Sequence, residues 1–162
     1  MRLLLSAILL TLSASVALAL GPDDVVGTWT LVSAVRKVVA TGAESGLYGD
    51  HPNGTIMYGR DGRMIVLIVQ DKRPKPAGVA TMTDADRVAL FKSMLAYSGT
   101  YAIEGDTITH SISASWNEVW TGTKVARDVK RDGDRLIYTT KPAPASTDGQ
   151  VSVVTLVWQK VH

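Results

Sequence analysis

Gly27-Thr28-Trp29-Thr30-Leu31-Val32-Ser33-Ala34-Val35 decides how the rest of the chain is read. Small hydroxylated residues alternate with apolar ones at the period of a half-buried β-strand. The Gly-x-Trp step at its start commits a large ring to one face where the strand begins. Upstream, Arg2, the apolar run from Leu3 to Leu12 and the small pair Ala17 and Ala19 form the pattern of a secretory signal, with cleavage predicted after Ala19. Ser13 and Ser15 interrupt that run before it reaches the roughly 20 residues a membrane-spanning helix needs. The expectation is a cleaved leader over residues 1–19 and one domain over residues 20–162, exported to a periplasm or secreted, with no stable membrane anchor.

Composition narrows the function classes. Lys and Arg number 17 against 15 Asp and Glu, and Arg2 is the one charged residue before position 20, so the domain carries a net charge near +1. Such a balance offers no strong pull on nucleic acid or anionic lipid. There is no cysteine, hence neither a disulfide nor a lipid-modified cysteine at the cleavage site. His51, His110 and His162 are too far apart for short metal-ligand spacing, so no metal is expected. No Gly-x-Ser-x-Gly elbow is present. Gly59-Arg60-Asp61-Gly62 lacks the length and lysine of a phosphate loop, and no cofactor is expected.

Downstream of Trp29 the period-two signal recurs at strand length between turn dipeptides. The predicted strands are Val26–Val39, Thr55–Tyr58, Arg63–Val69, Tyr97–Glu104, Thr107–Ser115, Lys124–Arg131, Asp134–Thr140 and Val151–Val161. Asp61-Gly62 predicts a type I′ turn, and Gly105-Asp106 and Asp132-Gly133 predict two further hairpins. A helix is predicted over Asp84–Met94, with Thr83 as N-cap, acidic residues in its first turn, and Val88, Phe91 and Leu95 along one face across an open edge or mouth. The fold class is all-β: a single closed antiparallel barrel of about eight strands with one short α-helix, closure removing the exposed edges of an open sheet.

Six segments in order resemble the landmarks of the small lipocalin-like domain proteins, which are calycin-type barrels. They are Gly27-Thr28-Trp29, Tyr58-Gly59-Arg60-Asp61-Gly62-Arg63-Met64, Leu95-Ala96-Tyr97-Ser98-Gly99-Thr100-Tyr101, Gly105-Asp106-Thr107-Ile108-Thr109-His110, Trp120-Thr121-Gly122-Thr123 and Leu156-Val157-Trp158. The similarity runs from about Asp24 to Val161. It implies an exported barrel with an interior cavity, whose Gly-x-Trp tryptophan plugs the closed end beneath a basic side chain. Lys160 is the candidate cover, where an arginine is commoner in lipocalins.

Alternation proposes the lining independently. Ile108, His110, Ile112 and Ala114 form one face of their strand, opposite a hydroxylated face that includes Ser113 and Ser115, and pairing across Gly105-Asp106 sets Tyr101 opposite His110. Val125, Arg127 and Val129 face inward, with Arg127 predicted opposite Tyr138. An inward guanidinium needs a carboxylate, several acceptors or an anionic ligand. An internal ion pair with Asp128 or Glu118, or stacking on a tryptophan, is the competing account. Trp116 and Trp120 flank a loop or bulge where they border the mouth or serve core or rim packing alone, and Trp158 lines the cavity or serves packing alone.

The first function read from this pattern is binding or carriage of a small apolar or amphipathic molecule, with or without a carboxylate. The candidate contacts are Tyr58, Tyr97, Tyr101, His110, Trp116, Trp120, Arg127 and Tyr138. The alternative is a cofactor-free isomerase or cyclase in which His110 and Tyr101 transfer a proton. A third reading has a fully packed barrel whose helix contacts a protein partner, which the sequence does not name.

Overall fold

The computed structural model describes residues 20–145 and 147–162, so the predicted leader lies outside the described residues. The strands are β1 (Gly27–Val38), β2 (Glu44–Gly46), β3 (Asn53–Tyr58), β4 (Arg63–Val69), β5 (Met94–Glu104), β6 (Thr107–Ser115), β7 (Lys124–Asp132), β8 (Arg135–Thr139), β9 (Ala143–Pro144) and β10 (Val151–Lys160). All pair antiparallel, and β1 pairs with β10 as well as with β3. That second pairing closes β1-β3-β4-β5-β6-β7-β8-β10 into a barrel of eight strands, the predicted architecture. The short β2 and β9 extend the edges of β1 and β10 beyond the barrel wall.

The two ends of the barrel are built differently. Tight connections at 59–62, 105–106 and 133–134 lie at one end, together with a single helical turn, α1 (Pro22–Val25). Trp29 is 0% exposed there, and its indole N–H donates to the Val25 carbonyl at 2.8 Å. The Lys160 ammonium sits 5.2 Å from the Trp29 ring centroid, so lysine does cover this tryptophan. Asp23 and Asp24 of α1 bind Arg60 and Arg131 beside two of the turns. At the other end run the connections 39–52, 70–93, 116–123 and 140–150.

Helix α2 (Asp84–Lys92) belongs to the 70–93 connection. Its cap is the predicted one: the Thr83 hydroxyl accepts from the Asp86 N–H, and the Asp86 carboxylate accepts from the Thr83 N–H. The helix ends at Lys92, earlier than predicted, because Ser93 caps it and Met94 starts β5. Leu95 therefore lies on a strand. None of the helical residues is buried, and Val88 and Phe91 are about half exposed. Arg73 ties the C-terminal turn down by donating to the Leu90 carbonyl and the Ser93 hydroxyl.

Turn chemistry departs from the predictions in two places. Tyr58 pairs with Met64, and of the residues between them only Gly62 has the left-handed φ among the non-terminal loop positions, at 79°. A longer loop with one left-handed glycine thus replaces the type I′ turn. Asp132 pairs with Arg135, so the next hairpin turns at Gly133-Asp134. Val129, and not Arg127, then stands opposite Tyr138. The shift is two residues, so every side chain keeps its predicted face.

Two bulges do change faces. In β1, Leu31 pairs with Trp158 and Ser33 with Val157, leaving Val32 unpaired on this side. Inward positions switch from Trp29 and Leu31 to Ala34 and Arg36. In β6, Ala114 pairs with Ser98 and Ile112 with Gly99, leaving Ser113 as the extra residue. Ala114 is consequently exposed, against the predicted inward face, and Ser115 is half-buried. Gly99 is what lets the strands approach here: a Cβ on it would lie 1.9 Å from the Ser111 carbonyl oxygen.

Candidate functional site

Four polar side chains from four strands meet inside the barrel. The Tyr138 hydroxyl of β8 lies 2.9 Å from the Tyr58 hydroxyl of β3, and Tyr58 lies 2.7 Å from Nε2 of His110 on β6. Nδ1 of His110 lies 2.9 Å from the Tyr97 hydroxyl of β5. Alternation turns each of these residues inward, and closure of the barrel brings their tips together. Buried polar groups need such partners, since each one left unpaired costs about 1–3 kcal/mol. Around the chain pack Ile56, Met64, Val66, Ile108, Ile112, Val129 and Leu136, all buried.

Burial governs the protonation of these groups. It pulls the His110 pKa down to about 3, aided by the nearby Arg127 charge, so the ring is neutral near pH 7. Burial also pushes Tyr97 up to about 12 against the opposing charge of Arg127, and raises Tyr58 and Tyr138 well above the usual phenol value. All three tyrosines are therefore neutral hydrogen-bonding groups.

Arg127 enters the same interior from β7, half-buried, with Nη1 donating to the Ala126 carbonyl at 2.8 Å. Burial lowers its pKa, while Tyr97, Tyr58 and Tyr48 act in the opposite sense. The guanidinium stays charged all the same. No carboxylate forms an ion pair with it among the described residues: Asp128 bonds the Thr107 hydroxyl, and Glu118 bonds Thr121. Among the described residues the cation stacked on a tryptophan is Lys160.

Above Tyr97 the interior becomes aromatic. Trp120 lies 5.9 Å from the Tyr97 ring, Trp116 lies 5.3 Å from Trp120, and Phe91 of α2 lies 6.2 Å from Trp116. The Trp116 indole N–H is buried with no hydrogen-bond partner among the described residues, as is that of Trp158 deeper in the barrel. Tyr101 departs from its predicted role. Its hydroxyl donates to the Gly59 carbonyl at 2.9 Å at the closed end, its ring meets Tyr58 edge-on, and the tyrosines that hold His110 are Tyr58 and Tyr97 instead.

Two side chains at the open end, Arg36 and Tyr48, carry no local signal that would place them there. Arg36 turns inward only because of the β1 bulge, and it holds Asp148 through two hydrogen bonds of 2.8 and 2.9 Å and Ser152 through a third. Tyr48 comes from the 39–52 connection and packs against the core near Tyr97 and Arg127. Its turn is held by Asp71, whose carboxylate accepts from the Asp50 and His51 N–H groups and leaves no room for a side chain at Gly49, where φ is 83°. Phe91 takes its expected helix face, and only the fold brings Trp116 to it.

The lower interior, from Trp29 to the tyrosine–histidine chain, is lined by buried side chains that form one core cluster. Two depressions lie elsewhere: one of about 710 Å³ against β7, β8 and Leu20, and one of about 270 Å³ around Met57 and Ile65.

Eight antiparallel strands closing on themselves, with a capped tryptophan below and long connections above, agree with a family model described as a lipocalin-like domain, which matches residues 26–161. The chain belongs to the lipocalin-like domain family. No curated protein matches it. In this lipocalin-like barrel the match spans every barrel strand, so the family accounts for the frame. The tyrosine–histidine chain and Arg127 are read from the side chains themselves.

Proposed function

We propose that this lipocalin-like protein binds a small amphipathic molecule in the open half of its barrel. The observation that carries this reading is Arg127: a half-buried guanidinium on the inward face of β7, with no carboxylate partner among the described residues and near enough to Tyr97, Tyr58 and Tyr48 to feel their hydroxyls. A charge placed so is costly unless something anionic or richly accepting comes to it. Its surroundings suit an apolar tail. Val125, Leu95 and Trp120 are half-buried against the core, and Trp116 extends the aromatic wall toward α2. The buried core cluster below the tyrosine–histidine chain favours a ligand held near the mouth. Export, supported by the leader-like first nineteen residues, would expose the site to small molecules outside the cytoplasm.

The alternative isomerase or cyclase has weaker support. His110 is 2% exposed, and both of its ring nitrogens are engaged by tyrosines. Native mass spectrometry of the protein purified from its own cells without detergent tests the binding reading. A stoichiometric acidic or amphipathic molecule released on denaturation, and lost in Arg127→Gln, is the expected result. A clean apo mass that persists after challenge with fatty acids and terpenoids would overturn it.

A further inference from the structure

The tyrosine–histidine chain holds one proton more than it has bonds. Tyr138–Tyr58, Tyr58–His110 and His110–Tyr97 are three hydrogen bonds, of 2.9, 2.7 and 2.9 Å. Three hydroxyls and the single N–H of a neutral imidazole supply four donors. One O–H must therefore point out of the chain, and burial decides which. Tyr58 and Tyr138 are each 2% exposed, with no further acceptor at either hydroxyl among the described residues. Leaving the surplus proton on one of them would strand it in the core at a cost of about 1–3 kcal/mol.

Tyr97 is the exception. It is the most exposed of the three at 8%, its hydroxyl also has no second partner among the described residues, Trp120 of the 116–123 connection packs on its ring, and the Arg127 charge acts on it. The chain thus runs one way. Tyr138 donates to Tyr58, Tyr58 donates to Nε2 of His110, and the Nδ1–H of His110 donates to the Tyr97 oxygen. Accepting that bond polarises Tyr97 and makes its own O–H a better donor. Arg127 is constrained as well, because the Ala126 carbonyl takes one Nη1 proton and leaves the remaining guanidinium donors for a ligand.

We propose that the Tyr97 O–H and the free N–H groups of Arg127 together receive the carboxylate of an amphipathic monocarboxylic acid, with His110 as the positioning residue that aims the Tyr97 proton. This rests on the binding site proposed above and names its ligand class. A carboxylate is acceptor-only and offers two oxygens to these two donors. A neutral ester keeps the apolar tail but gives up the charge.

Two measurements on the purified protein separate this inference from the reading beneath it. Nitrogen-15 NMR of the imidazole side chains needs no ligand. The His110 ring, identified by the loss of its signals in His110→Leu, is expected as the neutral Nδ1–H tautomer, and an Nε2–H tautomer would overturn the proposed direction. Titration with decanoate and methyl decanoate then tests the site. Tyr97→Phe should weaken decanoate binding on the order of tenfold and the ester less than about twofold, in keeping with one lost hydrogen bond to a charged group. Equal losses for both probes would remove Tyr97 from carboxylate recognition. If Arg127→Gln abolishes decanoate binding while Tyr97→Phe leaves it unchanged, the site stands without this donor. If the wild-type protein binds neither probe, the carboxylate assignment falls together with the site, whatever the tautomer.

Discussion

The closed end of this barrel is built from neighbours in sequence, and the open end from parts that meet only on folding. Below, short turns return each strand directly to the next, and α1 precedes β1 by a single residue. Trp29 fills the space with no exposure at all. Above, α2 buries none of its residues, and its ties are the Phe91–Trp116 contact and the Arg73 hydrogen bonds. One end concentrates burial, and so stability; the other keeps aromatic and cationic groups beneath loosely held cover. Low-stability segments of this kind are where binding proteins open.

The largest effect that could break this contrast is at Trp29. Trp29→Ala should cost about 3–5 kcal/mol, the usual range for a buried tryptophan, as read from urea denaturation midpoints. A cost below about 1 kcal/mol would show that the closed end is not the stabilising centre.

His110→Leu comes next, at about 2–4 kcal/mol, because it strips partners from two buried hydroxyls. It also carries a pH signature. The ring titrates near 3 in the folded state and near 6.5 when unfolded, so between those values the unfolded chain binds the extra proton. The stability His110 contributes is fully present above about 6.5 and is lost as pH falls toward 3. Between pH 6.5 and 4.5 the wild type should lose stability more steeply than His110→Leu, and parallel curves would contradict the buried neutral ring.

At the open end the expected changes are smaller and more local. Asp148→Asn removes the carboxylate that pairs with Arg36 and accepts from the Gln150 N–H. Hydrogen exchange at Gly149 and Gln150 should quicken while the β1–β10 amides stay protected, and a global loss of protection would make the 140–150 connection part of the core. Phe91→Ala should move stability by no more than about 0.5 kcal/mol, as surface substitutions usually do. It should still change the fluorescence of Trp116. A cost above about 2 kcal/mol would mean that α2 is as firmly packed as the closed end.

Much of the frame was legible because its causes are short-range. The alternation of Ile108, His110 and Ile112 and of Val125, Arg127 and Val129, the Thr83 cap and the Gly105-Asp106 turn are decided within a few residues, and all are present. Alternation stopped working at the bulges. Nothing in Val32-Ser33 or Ser113-Ala114 announces an extra residue, yet each reverses the faces beyond it, bringing Arg36 in and sending Ala114 out. The hairpin at Gly133-Asp134 was misplaced without harm, since a slip of two preserves the face.

By itself the sequence determined an all-β barrel and the inward face of Tyr58, Tyr97, His110, Arg127 and Tyr138, and its resemblance to lipocalin-like proteins implied the tryptophan at the base with Lys160 over it. Only the tertiary structure decided which of the polar side chains meet. Tyr101 stands beside His110 in register, yet its hydroxyl goes to Gly59, while Tyr58 and Tyr97 take the two ring nitrogens. Partners across a lumen depend on closure, strand tilt and bulge position, which are properties of all eight strands at once. The approach of Tyr48 to Arg127 is likewise set by a distant carboxylate, Asp71, that no local pattern connects to it.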